Sequence, residues 1–358
     1  MEIKEKGILF IAYDCENKAV WNAIKLHVEF AKTSQREVSF IVDKRYNDII
    51  KKDYPNHKVF EYTSLLNLSM KLTKIDAEYI FSPVMFTTLL SFPAKLLNRK
   101  KVLYWVQGAV PEESYLRHKS KLRYYLLSTI EYLGLHIAYK NIFVSTEMKR
   151  ALEKKTKQNL DNSIVVPCIS EFSYDNSPKE KDSFVYIGGM SAWQRVDIML
   201  EMFNNILKEK PQAKLYIATL EQEKAKELIK TYLNNNFQSN IILLSINNRK
   251  EIPHFLSTKE YGFLIREDIV VNNVSSPIKL AEYLSCGVNV IISQAVTSYA
   301  SLVETHRAGI QISNEDDIVD KLNKFTPNTN NAIELYHKHF SKERHQESYL
   351  KLLKNEEQ

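Results

Sequence analysis

The sequence predicts an α/β protein of two doubly wound domains that face each other across a cleft. Three observations carry this reading. The chain has 358 residues, more than one hydrophobic core usually organises. Short apolar strands alternate with amphipathic helices in two separate runs, the pattern of parallel sheets covered on both faces. Between the runs, VVPCISEFSYDNSPKEKDSF breaks the periodicity with Pro167, Pro178 and a charge cluster. The expected domains are therefore residues 1–168 and 169–330, with a helical tail, 331–358, packing back on the first.

In the first run KGILFIAYD reads as a buried strand and NKAVWNAIKLHVEFAK as an amphipathic helix. EVSFIVD, HKVFEY, AEYIFSP, KVLYWVQ and NIFVS are further strands, separated by helical stretches such as FTTLLSFPAKLL and SKLRYYLLSTIEYLGLHIAYK. In the second run SFVYIGG, AKLYIAT, NIILLS, YGFLIRE and VNVIIS are strands, with helices at RVDIMLEMFNNILKE, EQEKAKELIKTYL and SPIKLAEYLSCG. Ligands of such open sheets lie beyond the carboxyl ends of the strands.

Composition excludes several classes. The three cysteines, Cys15, Cys168 and Cys286, have no paired spacing, which argues against a disulfide framework and a zinc site. The longest uncharged stretch, residues 79–94, contains Pro83 and Pro93 and is shorter than the roughly 20 apolar residues a membrane span needs. Among the eight glycines there is no GxGxxG after the first strand and no GxxxxGK[ST]. GxSxG and HExxH are missing as well. Residues 1–170 hold 27 Lys and Arg against 18 Asp and Glu, whereas residues 171–330 hold 17 against 20. A basic first half points to an anionic partner, a membrane surface or a phosphate-bearing substrate, or to lysines that are merely solvated. The lysines are scattered without an aromatic-interleaved patch, so a nucleic-acid partner is not expected.

The segment NNVSSPIKLAEYLSCG carries the chemistry. Ser276 reads as an N-cap, Pro277 as the first helical residue and Gly287 as the closing glycine. Lys279 then falls in the first turn, where the macrodipole disfavours a cation. An anion at that end removes the penalty. Arg266 ends the strand YGFLIR at the ligand-bearing edge, and together with Lys279 and the free amides of the helix start it fits a diphosphate. Glu282, one turn on, is placed to accept hydrogen bonds from two ribose hydroxyls. The plainer alternative is an i,i+3 surface ion pair between Lys279 and Glu282, worth about 0.2–0.5 kcal/mol.

SSPIKLAEYLSCGVNVIIS resembles the donor-binding segment of bacterial glycosyltransferases with the two-domain GT-B fold, of the retaining family-four type and of its surface-polysaccharide subset. The residues that carry the resemblance are Arg266, Glu267, Asn273, Ser276, Pro277, Lys279, Glu282, Tyr283, Leu284, Gly287, Val290 and Ile291. Asn289 stands in place of the pattern's proline, and Val274 where many members carry a second glutamate. YIGGMSAWQRVDIMLEMF is similar to the family's glycine-rich turn; Gly189 and Gln194 occupy the positions of its usual arginine and lysine, with Arg195 adjacent. VLYWVQGAVPEESYLRHKS resembles the acceptor-side strand end, with Gln107 where many members have histidine.

By this resemblance Arg266, Lys279 and Gln107 belong to the catalytic site. Glu282, Ser275, Ser276, Asn273, Gly188, Gly189, Gln194 and Arg195 bind the donor, and Gly108, Glu112 and Glu113 face the acceptor. The implied reaction moves a sugar from a nucleotide diphosphate sugar, UDP ahead of GDP, with retention and without a metal or other cofactor. The implied acceptor is a saccharide or lipid-linked saccharide, and the implied location is cytoplasmic, peripheral to an anionic inner membrane face. A non-catalytic nucleotide-sugar or glycan-binding protein on the same fold is the alternative.

Overall fold

The computed structural model describes residues 7–313 and 317–354. The chain divides into two compact units. One comprises the chain up to Val166 together with residues from His345 onward, and the other runs from Pro167 to Arg344.

In the first unit β1 (Ile8–Ala12), β2 (Val38–Asp43), β3 (Lys58–Tyr62), β4 (Tyr79–Ser82), β5 (Lys101–Val106), β6 (Lys140–Phe143) and β7 (Ser163–Val165) form one sheet in the order β3-β2-β1-β4-β5-β6-β7. All its pairings are parallel. In the second unit β8 (Glu180–Ile187), β9 (Lys214–Ala218), β10 (Ile241–Leu244), β11 (Lys259–Leu264), β12 (Asn289–Ser293) and β13 (Gly309–Ile312) form a second parallel sheet, ordered β10-β9-β8-β11-β12-β13. Each sheet thus has one strand that the residue pattern did not predict, β7 and β13. Both are short edge strands, SIV and GIQI, with too few residues for a period to register.

The central strands carry near-continuous apolar runs because helices cover both faces. In β8, Phe184 and Tyr186 enter one core of the second unit and Val185 the other. In both sheets the strand order reverses once, between β1 and β4 and between β8 and β11. A crevice opens there at the carboxyl ends of open α/β sheets, so the loops after β8 and β11 are where ligand chemistry is expected.

The tail expected as one helix over 331–358 is two helices; residues 355–358 lie outside the described ones. Helix Thr329–His339 buries Ala332 and Leu335 in the second unit. Buried Phe340 and Ser341 break the helix, the Ser341 hydroxyl donating to His337 O at 3.0 Å. From His345 onward the helix Lys342–Lys354 belongs to the first unit. Tyr349 stacks on Phe30 at 5.0 Å, and Leu353 O accepts from Tyr79 Oη at 2.9 Å and Arg36 Nη2 at 3.1 Å.

Candidate functional site

At the reversal of the second sheet, two cations meet on one neutral oxygen. β8 is followed by Gly188, whose φ is +150°. A Cβ there would fall on Lys279 Nζ and Cε, so only glycine leaves room for that side chain. Lys279 lies in the first turn of the helix Ile278–Ser285 and donates to Gln194 Oε1 at 2.8 Å and Tyr186 Oη at 3.2 Å, with its ammonium 4.2 Å from the Tyr186 ring centre. Arg266 follows β11; its backbone N–H donates to Ser293 Oγ at 3.0 Å and its Nη1 donates to the same Gln194 Oε1. Tyr186 in turn donates to Gly189 O at 2.6 Å.

This arrangement is electrostatically unfinished. Burial holds Lys279 well below the usual lysine range; the Arg266 charge pushes it further the same way and Glu282 opposes both. Burial lowers Arg266 also. Two desolvated cations sharing an amide oxygen favour a multiply charged anion, because charge-assisted hydrogen bonds are strongest where water is excluded. A phosphate group placed at the Gln194 carbonyl meets both donors.

Glu282, only 7% exposed, lies one turn along the same helix. Burial raises its carboxyl, and the Arg249 charge and hydrogen bond oppose the shift. Arg249 Nη2 donates to Glu282 Oε1 at 2.7 Å while its guanidinium lies 4.8 Å from the Phe172 ring centre. The i,i+3 ion pair between Lys279 and Glu282 that the spacing allowed is therefore replaced by two separate sets of partners. Sequence reasoning missed Arg249 and Tyr186. Arg249 follows β10 in INNRKEIPHF, a basic residue beyond a strand's carboxyl end, which is the signal that located Arg266. Tyr186 is the polar-tipped residue one before the end of β8.

Other expected donor residues fall differently. Ser276 is not a helix cap: Pro277 holds the N-cap position and no side chain caps the turn. The buried Ser276 hydroxyl instead accepts from Cys168 N at 3.0 Å and Tyr299 Oη at 3.2 Å, which fixes the chain entering the helix. Gly287 does close the helix, at φ +67°. Ser275 Oγ donates to Asn272 O at 2.9 Å, and Asn273 Nδ2 to Asp268 Oδ1 at 2.8 Å, so both shape the loop. Arg195 does not join the cations: its Nε donates to Asp197 Oδ1 at 3.1 Å, and it lines a separate cavity of about 350 Å³ with Lys224, Tyr232 and Glu267. Gly189 sits against Glu221, whose Oε1 accepts from Met190 N at 3.0 Å.

In the first unit Gln107 follows β5, and its Nε2 donates to Pro83 O, just past β4, at 3.0 Å. Glu112 and Glu113 lie in the first turn of the helix Val110–His118, where the macrodipole favours acids. Glu112 Oε1 accepts from Lys155 Nζ at 2.9 Å and Tyr124 Oη at 3.3 Å, and the same lysine reaches buried Glu131 at 2.7 Å. Glu112 is therefore part of a packed ionic network. Glu113 places its Oε1 beside Gly108; burial raises its carboxyl and Arg117 partly offsets this. Among the described residues no group of three or more His, Cys, Asp or Glu could hold a metal ion.

Two parallel doubly wound sheets are the architecture of the GT-B fold. Solved structures match over nearly the full length. HepE from Anabaena in complex with UDP and glucose is 14% identical, with 98% of this chain and 100% of that one covered and a TM-score of 0.67. The lipopolysaccharide outer core galactosyltransferase WaaB is 12% identical over 98% and 100%, at 0.70. Sucrose-phosphate synthase from Thermosynechococcus elongatus is 12% identical over 98% and 99%, at 0.73. Residues 170–345 match the family described as "Glycosyl transferases group 1", and this matched segment contains every residue of the cation cluster. No curated protein matches the chain by sequence.

Proposed function

We propose that the protein transfers a sugar from a nucleotide diphosphate sugar, a UDP-sugar ahead of a GDP-sugar, to a saccharide acceptor in bacterial surface-polysaccharide or glycoconjugate assembly. The observation that carries the donor reading is the convergence of Arg266 and Lys279 on Gln194 Oε1 at an uncapped helix start. The leaving diphosphate gains negative charge in the transition state, and donors already aimed at it lower the barrier without reorganising. Glu282 holds the ribose once Arg249 yields one carboxylate oxygen. Transfer proceeds with retention and without a metal, in keeping with the resemblance carried by the 266–291 segment. Glu113 and Gly108 face the acceptor, a lipid-linked saccharide, and the enzyme works in the cytoplasm at the inner membrane face.

The test is thermal unfolding with UDP, GDP, ADP, CMP and inorganic phosphate, on the native chain and Glu282→Ala. A ligand near 100 times its dissociation constant stabilises by about 2.7 kcal/mol. A shift with one nucleoside diphosphate, lost in Glu282→Ala, supports the donor site and selects the nucleotide. No shift with any of them overturns it. Transfer from the selected nucleotide sugar with chelator present, the product anomer read by NMR, tests retention and metal independence. Nucleotide binding without turnover on any acceptor would favour the non-catalytic alternative, consistent with Gln107, which cannot take a proton at neutral pH.

A further inference from the structure

The first unit holds a cavity of about 290 Å³ on the edge of its sheet opposite the one that bears Gln107. It lies where the helix Lys121–Ile137 leads into β6 and where the helix Thr146–Thr156 leads into β7. Both strands begin there, so the cavity sits at their amino ends, whereas Gln107 follows the carboxyl end of β5. No Lys, Arg, Asp or Glu lines it, although 26% of the chain is charged. Its lining carries instead four side-chain amides, Asn141, Gln158, Asn159 and Asn162, together with Tyr139 and His136.

The hydrogen bonds of these amides select the occupant. Gln158 Nε2 donates to Tyr132 O at 3.2 Å and Asn162 Nδ2 to Tyr139 O at 2.6 Å. The NH₂ of each is thereby committed, and its oxygen is an acceptor with no partner among the described residues. Asn141 makes the stronger case. It is only 5% exposed, its Oδ1 has no donor, and its Nδ2 reaches Leu135 O only at 3.5 Å. A buried acceptor without a partner is costly and rare in native structures. So weakly held, the amide can turn about its last bond to meet a donor in the cavity. Uncharged acceptors select a neutral ligand rich in O–H groups. A phosphate would meet them with acceptors of its own, and a cation would find no counter-charge. Tyr139 and His136 add ring surface suited to the C–H face of a pyranose. The volume lies at the lower end of the range for ligand pockets, about 300–1,000 Å³, and suits a small ligand. We infer that this cavity is a saccharide-binding site that takes a neutral sugar unit by hydroxyl donation to Asn141, Gln158 and Asn162. It is separate from the donor and acceptor sites of the proposed function and depends on neither.

The experiment is saturation-transfer NMR of the full chain with glucose, galactose, mannose, N-acetylglucosamine, rhamnose and glucuronate. At least one of the neutral sugars is expected to bind with a dissociation constant of about 1–10 mM. Ala138 also lines the cavity, and Ala138→Phe, whose ring fills it without altering an amide, is expected to abolish that binding. Asn141→Leu and Gln158→Ala each remove one acceptor and should weaken it by about three- to tenfold. Circular dichroism and the nucleotide-induced thermal shift, measured on the same samples, should match the wild type, which shows that the variants fold. Failure of every neutral sugar to bind, or binding unchanged in Ala138→Phe or in Asn141→Leu, overturns the inference. So does a cavity that takes glucuronate and no neutral sugar, because uncharged acceptors would then not be choosing the ligand. Absence of the nucleotide shift in the wild type, with sugar binding intact and lost in Ala138→Phe, overturns the donor reading and leaves this site standing.

Discussion

The two units solve the same structural problem and arm it differently. Each is a parallel sheet whose strand order reverses once. In the second unit Arg266, after β11, and Lys279, in the first turn of the helix Ile278–Ser285, meet on a neutral oxygen. In the first the corresponding groups are a neutral amide, Gln107 after β5, and a carboxyl raised by burial, Glu113 on the helix that follows. The backbone supplies the crevice and a handful of side chains decides the sign of the ligand. The difference also teaches where strain is kept: the cationic site depends on a glycine at φ +150° and on desolvated charge, whereas Gln107 simply satisfies a neighbouring carbonyl.

The largest effect should come from Gly188→Val. Its side chain would displace Lys279 and adopt a backbone conformation that L residues rarely hold, costing about 1–3 kcal/mol. Urea unfolding should show the loss, and the nucleotide thermal shift should vanish. The matching change at Gly108, to alanine, meets only the movable end of Glu113 at 2.9 Å, and should cost less than half as much. Equal costs would break the contrast between the units.

Gln194→Glu sharpens it further. A fixed carboxylate between Arg266 and Lys279 supplies the missing counter-charge, so the unliganded protein should unfold at a higher temperature while the nucleotide shift is lost. A gain in nucleotide affinity would contradict the anion-site reading outright.

The pH dependence follows from Lys279. Its folded-state pKa lies below the ordinary 10.5, so between the two values the unfolded chain binds more protons and stability rises with pH. Lys279→Met should remove that rise and reduce turnover by about 10²–10³-fold, as loss of an oxyanion donor does. Binding a diphosphate draws the proton back onto Lys279, so calorimetry at a pH above its folded value should detect proton uptake in the wild type and none in Lys279→Met.

The smallest expected effect belongs to the Arg249–Glu282 pair. Arg249 is more than half exposed, and water screens the pair, so a double-mutant cycle with Arg249→Ala and Glu282→Gln should give a coupling of about 0.5–1 kcal/mol. The carboxyl of Glu282 is raised, so the native state holds its proton to higher pH than the unfolded chain. Stability contributed by that proton is lost as pH rises through the folded value, and Glu282→Gln should flatten the decline. A coupling near zero would mean that Arg249 rests on Phe172 without holding Glu282.

Sequence by itself determined the alternation of strands and helices, the existence of two parallel sheets and the positions of Arg266, Lys279 and Glu282, because period, strand ends and turn residues are local properties of the chain. Through the family resemblance it also singled out Gly188, although not the side chain that approaches it. The pairing of residues far apart was decided only by tertiary structure. Gln194 meets Lys279 across 85 positions, Arg249 meets Glu282 across 33, and Ser276 gives up its expected cap to hold Cys168 across 108. Arg195 and Glu112 looked equally available in the chain and are taken by Asp197 and Lys155. The edge strands β7 and β13 and the break at Ser341 likewise depend on neighbours. Which of several candidate charges remains unpaired is set by packing and desolvation, and those are properties of the whole fold and of no segment in it.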